Sequence, residues 1–134
     1  MKIQIEFFKD KLVESIGAGI YEIDVCKDKK TEVLYIGESV FVLVRCASHL
    51  YELKKNPNYF GFTEKTVENP EIKLIFHLLE QVDDTQERKK CEKEIINIKK
   101  PLSQSGIGDR QKNVEEKILA LTNFLEDDIS IGGK

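Results

Sequence analysis

The chain opens on an alternation, Ile3, Ile5 and Phe7 against Gln4 and Glu6, which predicts an edge strand over residues 2–8. A polar turn or short helix follows through Lys9–Ser15, and Gly17 and Gly19 break the chain. Ile20–Val25 then alternates with period two, placing Ile20, Glu22 and Asp24 on one face and Tyr21, Ile23 and Val25 on the other. A charged turn at Lys27–Lys30 leads into a second strand over 32–37, so the pair reads as an antiparallel hairpin with Tyr21 and Tyr35 on neighbouring strands. Ser39 stands where a helix N-cap is expected, and Val40, Leu43, Val44, Ala47 and Leu50 recur at helical spacing up to about Lys54, with Arg45 and His49 on another face. Asn56-Pro57-Asn58 stops this helix, and residues 56–70 read as a loop carrying Tyr59, Phe60 and Phe62.

Ile72–Leu79 is an apolar run of strand length that completes a three-stranded sheet. Thr85 to Lys99 reads as a helix with Cys91, Ile95 and Ile98 as its buried stripe and Pro101 as its stop. A last helix over 111–124 follows from Val114, Ile118, Leu121 and Leu125; such a stripe packs on the parent domain or forms a homodimer seam. Strands and helices are mixed without a repeating strand-helix unit. The expected fold is therefore α+β: a small three-stranded, mainly antiparallel sheet flanked by helices, with an extra N-terminal strand and a C-terminal helix. The 134 residues suit one domain, read as 1–108, followed by a helical extension at 109–134.

Composition narrows the classes. With 34% charged and 40% hydrophobic residues the chain is of globular type, and no apolar stretch approaches the roughly 18 residues of a membrane span. The alternating N-terminus is a strand rather than a secretory leader, and a cytoplasmic location is expected. Cys26, Cys46 and Cys91 lack metal-ligand pair spacing and read as reduced core thiols. Net charge is −3, but residues 109–134 carry four basic and six acidic side chains, so residues 1–108 are nearly neutral, with 17 against 18. Lysine and arginine cluster at 27/29/30, 54/55, 88/89/90 and 99/100, where they form either a positive face or ordinary solvated surface. Weak, salt-sensitive binding to undamaged duplex DNA is expected.

The candidate chemistry begins with Arg45 and His49, four residues apart and so projecting over one patch of helix. An arginine there can grip two phosphate oxygens and hold the extra negative charge that develops as a phosphodiester breaks. These two residues lie eight and twelve positions after Gly37. Downstream, Glu92 precedes Ile96 by four residues and Pro101 by nine, a spacing that the neighbouring carboxylate Glu94 lacks.

Gly19-Ile20-Tyr21, Tyr35-Ile36-Gly37-Glu38-Ser39, Arg45, His49 and Glu92…Pro101, taken together over residues 18–105, resemble the catalytic module of the GIY-YIG nucleases, shared by homing endonucleases, some restriction enzymes and the excinuclease C subunit. The resemblance implies a metal-dependent DNA endonuclease acting in repair, recombination or defence against foreign DNA. It implies that Glu92 holds a single Mg²⁺ or Mn²⁺ and that Tyr21 is the general base, assisted by His49 or Tyr35. A free phenol has a pKa of about 10, so the role requires nearby cations, and Arg45 is the candidate for that lowering. Gly19, Gly37, Ser39 and Gln104 are the implied substrate-contacting positions, the glycines serving close approach or a strand-end turn. Two departures stand out: Gln104 replaces the family's asparagine, and Glu38 places a carboxylate where an amide or lysine is common. They motivate an alternative, a DNA-binding module that keeps the Arg45/His49 phosphate clamp and cleaves poorly. A plain interaction domain ranks last. No separate recognition module is visible, so specificity would come from loop 56–70, the C-terminal helix, dimerisation or a partner protein.

Overall fold

The computed structural model describes residues 1–103 and Leu125. The predicted hairpin forms from β2 (Gly19–Lys27) and β3 (Lys30–Ser39). Asp28 and Lys29 make the connection, both at positive φ (50° and 69°), the two-residue geometry whose twist matches that of the flanking strands. β4 (Lys73–Gln81) lies antiparallel on the other side of β2. The N-terminal strand β1 (Gln4–Phe7) joins β4 in parallel, giving a four-stranded mixed sheet in the order β1-β4-β2-β3. The three-stranded antiparallel sheet is thus extended by a parallel edge strand. Alternation marks a strand but carries no information about its neighbour, and two intervening helices bring the chain back in the same direction.

Two helices cover opposite faces. α1 (Val42–Lys55) packs on the Tyr21 face and α3 (Thr85–Lys99) on the Glu22 face, where Lys99 reaches Glu22. Between them, residues 56–70 contain structure where a plain loop is expected: a 3-10 turn at Pro57–Phe60 and the short helix α2 (Glu64–Val67), capped by the Thr63 side chain. Phe60 and Phe62 from this segment are buried in the main core with Ile23, Val25, Leu34, Leu74 and Phe76.

The buried stripe of α1 is Val42, Cys46, His49 and Leu53, not the one predicted through Val40, Leu43 and Val44; Val40 and Val44 are exposed. Residues 40–44 form an unbroken apolar run across the helix start, so periodicity alone leaves its phase open. β3 runs through Ser39, whose hydroxyl accepts from the Phe41 amide at 3.0 Å, and Phe41 occupies the N-cap position without a side-chain cap. In α3 the predicted bounds hold and Asp84 caps Glu87, but Ile98 is 80% exposed while Arg88 is buried. Cys46 is the buried thiol; Cys26 and Cys91 are half-buried, and all three are free.

The helix expected over 111–124, with its dimer seam, and Gln104 lie outside the described residues. Leu125 is buried against the core, and its carbonyl accepts from the buried Lys27 ammonium at 2.7 Å. Among the described residues no helix is long and apolar enough to cross a membrane.

Candidate active site

Tyr21 is directly opposite Gly37 in the β2–β3 pairing, so the tyrosine of the first motif lies across the glycine of the second. A Cβ at position 37 would overlap Oη and Cζ of Tyr21. The missing side chain is therefore filled by the Tyr21 ring. Gly19 is similarly enclosed, since a Cβ there would come within 2.5 Å of the Glu80 carbonyl oxygen and 2.9 Å of Leu78 Cδ1. Both glycines serve packing inside the protein. Gly37→Ala is expected to lower stability by about 1–3 kcal/mol, the usual range for an overfilled core, and to push Tyr21 off its partner. Urea unfolding of Gly37→Ala beside Gly17→Ala measures this, because nothing lies within 4 Å of a Cβ at Gly17.

From its seat on Gly37 the Tyr21 hydroxyl meets His49 Nε2 at 2.7 Å, and His49 Nδ1 meets the Tyr59 hydroxyl at 2.9 Å. The Tyr35 ring closes the cluster, 6.1 Å from Tyr21 and 5.1 Å from His49 between ring centres. His49 is thus a buried member of the site rather than a residue of an exposed helix face. Tyr59 is a partner that sequence reading did not assign; it comes from the 3-10 turn, where no periodicity marks it. One turn before His49 on α1, Arg45 is exposed yet close enough to act on Tyr21, Tyr35 and Tyr59.

Burial dominates the electrostatics. It pushes the Tyr21 phenol far up, with Tyr35 and Cys46 adding to the rise, and Arg45 opposes it only in part. The expectation that Arg45 brings Tyr21 below its ordinary value is not met: removing a phenolate from water costs more than one half-exposed guanidinium returns. Tyr35 is also raised, by burial and by Glu92, against the pull of Arg45. Burial, and then Arg45, push His49 down to about 4, so its ring is neutral near pH 7.

That depression fixes a pH dependence of folding. An unfolded histidine titrates near 6.5 and the native one near 4, so the unfolded chain binds the proton first as pH falls through this window. The contribution is complete above pH 6.5 and is lost towards pH 4, and it amounts to at most about 3 kcal/mol. The difference in urea midpoint between the wild type and His49→Gln, followed from pH 8 to pH 4, is expected to shrink accordingly. A constant difference would place the histidine in water.

Glu92 stands on α3, across the sheet from α1, yet it acts on Tyr35 and on the Glu38 amide at the free edge of β3. It is half-buried, whereas Glu94 is exposed. Burial, then Glu38, push its carboxyl up, with the Glu38 N–H, Lys89 and Lys93 opposing. Glu38 itself turns towards α3, where its Oε1 accepts from Arg88 Nε at 2.8 Å. Arg88 is 2% exposed and also donates to the carbonyls of Val82 and Asp83, both at 3.1 Å. The charge at position 38 is therefore held by a buried arginine, which sequence reading left among surface clusters.

Tyr21, Tyr35, Arg45 and His49 group around the Gly37 end of β3, and Glu92 acts there on Tyr35 and the Glu38 amide. No family model, curated protein or solved structure matches the chain. A half-buried carboxylate raised by burial and by a neighbouring carboxylate suits a hard divalent cation, because such an ion would offset both effects.

Proposed function

We propose that the chain is a GIY-YIG-type DNA endonuclease that hydrolyses phosphodiester bonds with the help of a divalent metal ion, in repair, recombination or defence against foreign DNA. The observation that carries this reading is the hydrogen-bonded line Tyr21–His49–Tyr59 with Arg45 above it and Glu92 reaching the same strand end. Neutral His49 can accept the Tyr21 proton along the 2.7 Å bond while Tyr21 Oη takes a proton from the attacking water. A free phenolate is then never required. The tautomer this needs carries its proton on Nδ1, where the Tyr59 hydroxyl accepts it. Arg45 holds the phosphate oxygens and carries the charge that builds up as water attacks. Glu92 would hold Mg²⁺ or Mn²⁺, and the ion when bound would stabilise the leaving oxygen. Incoming phosphate also favours a protonated His49, offsetting the burial that keeps it neutral beforehand.

A second reading is a DNA-binding module of the same fold that cleaves weakly. The raised Tyr21 phenol favours it, since a hydroxyl that gives up its proton reluctantly, even to His49, leaves the Arg45 clamp but slows the chemistry. Incubation of the full chain with supercoiled plasmid and with branched or flapped DNA, in Mg²⁺, Mn²⁺ or EDTA, decides between the two. Metal-dependent nicking supports the nuclease; binding without cleavage under every metal supports the module; neither binding nor cleavage rejects both.

A further inference from the structure

On the sheet face away from Tyr21, two carboxylates and an imidazole converge without any part in the proposed chemistry. Glu22 on β2 is paired directly with His77 on β4, and Asp24 lies two residues further along the same face. His77 Nε2 is 2.9 Å from Asp24 Oδ2 and 3.1 Å from Glu22 Oε2. Glu22 is 4% exposed and Asp24 9% exposed. The remaining oxygen of Glu22 accepts from Lys99 Nζ at 2.6 Å. The remaining oxygen of Asp24, Oδ1, is fully buried and has no hydrogen-bond partner among the described residues.

That orphan oxygen separates the group from an ordinary ion-pair network. Such a network satisfies its buried acceptors, because a carboxylate oxygen removed from water and given nothing is unfavourable. One donor atom from each of the three side chains lies within 4.8 Å of the other two. Metal–ligand bonds of about 2.0–2.2 Å place adjacent donors about 3 Å apart, which is the separation His77 Nε2 keeps from both carboxylates. A cation in place of a proton on His77 Nε2 would be held by Nε2, Oδ2 and Oε2, with Oδ1 free to turn onto it.

We infer that Glu22, Asp24 and His77 form a binding site for one transition-type divalent cation, with Zn²⁺ or Mn²⁺ best matched to the donors. One imidazole nitrogen with two carboxylates disfavours Mg²⁺ and Ca²⁺, which prefer oxygen alone. Access exists from one side: His77 is partly exposed and lines a surface cavity of about 240 Å³ shared with Glu6, Lys9, Asp10 and Lys11. Glu92 is not among the three clustered donors and instead meets the Glu38 amide on β3, so this ion is separate from the one proposed at Glu92. Bound here it would pin β2 to β4 and, through Glu22 and Lys99, hold the end of α3. The inference does not rest on the nuclease reading.

The test uses the full chain, freed of metal with EDTA and titrated with Co²⁺ as a coloured probe for the site. In Glu92→Gln, which removes the other proposed ion site, one Co²⁺ per chain is expected, displaced by Zn²⁺ but not by Mg²⁺. His77→Gln and Asp24→Asn should each weaken binding at least about tenfold, the lower end of what loss of even an outlying partner does to a metal site. The chain has only two histidines, so imidazole NMR gives a readout on the wild type itself: Co²⁺ should shift and broaden His77 and spare His49. Absence of stoichiometric binding overturns the site, as does binding that leaves the His77 signals unmoved or survives both substitutions. The NMR arm decides even where a substituted chain fails to fold.

Discussion

Glu92→Gln is expected to abolish metal-dependent cleavage without loss of stability. The carboxylate is half-buried and raised by burial and by Glu38, so a neutral amide of the same size removes an unfavourable charge from the folded protein. Unfolding midpoints near pH 7 should stay level or rise while the rate falls. That opposition of signs separates a residue that serves the reaction from one that serves the fold. Arg45→Ala should act in parallel on the same substrate, lowering the rate by about 10²–10³-fold, the usual loss when one fixed donor to a developing charge is removed. Arg45 is exposed, so its truncation should leave stability nearly unchanged. Arg45→Lys should recover little, because one ammonium cannot reproduce a two-pronged grip on phosphate. The measurement is the initial rate of plasmid nicking at saturating Mg²⁺ beside urea unfolding of each variant. A Glu92→Gln protein that nicks within a few-fold of the wild-type rate would remove the metal from the mechanism and the nuclease reading with it.

The contrast between these residues and their neighbours explains what the sequence could reveal. Hairpin and helix bounds were readable because alternation, the charged turn and Pro101 are local signals. The pairing of Tyr21 with Gly37 was not, although both belong to the motif, because only strand register brings them together. The phase of α1 is open in the sequence because an apolar run from Val40 to Val44 spans the helix start, and His49 falls on the buried face instead of the expected one. Tyr59 carries no periodic signal; it reaches His49 because a 3-10 turn replaces the expected loop. Glu22 and Asp24 were correctly placed on one face by alternation, but their third member, His77, belongs to a strand 53 residues beyond Asp24. Lone charged residues gave the least: Arg88 reads as surface until Glu38 is seen to face it.

Arg88→Ala is expected to lower stability by about 3–5 kcal/mol, the range found when one partner of a buried ion pair is removed. The loss has two sources. Glu38 would keep its partly buried carboxylate with no guanidinium beside it, and the carbonyls of Val82 and Asp83, between β4 and α3, would each lose a donor. Arg88→Met isolates the first source from simple loss of volume, since methionine refills most of the space. Adding Glu38→Gln to Arg88→Met should then restore part of the stability, because the unpaired charge is gone while the Val82 and Asp83 carbonyls still lack their donor. A double-mutant cycle in urea reads the coupling directly. The same cycle bears on the site: with Arg88 absent, the Glu38 charge is no longer offset by a guanidinium and weighs more on Glu92. Cleavage by Arg88→Met should therefore need more Mg²⁺ or higher pH, because the uncompensated Glu38 charge raises the Glu92 carboxyl further, and the double variant should return towards wild-type behaviour. Additive effects of the two substitutions would mean that Arg88 and Glu38 act independently, and that the charge at position 38 is not under the control of α3.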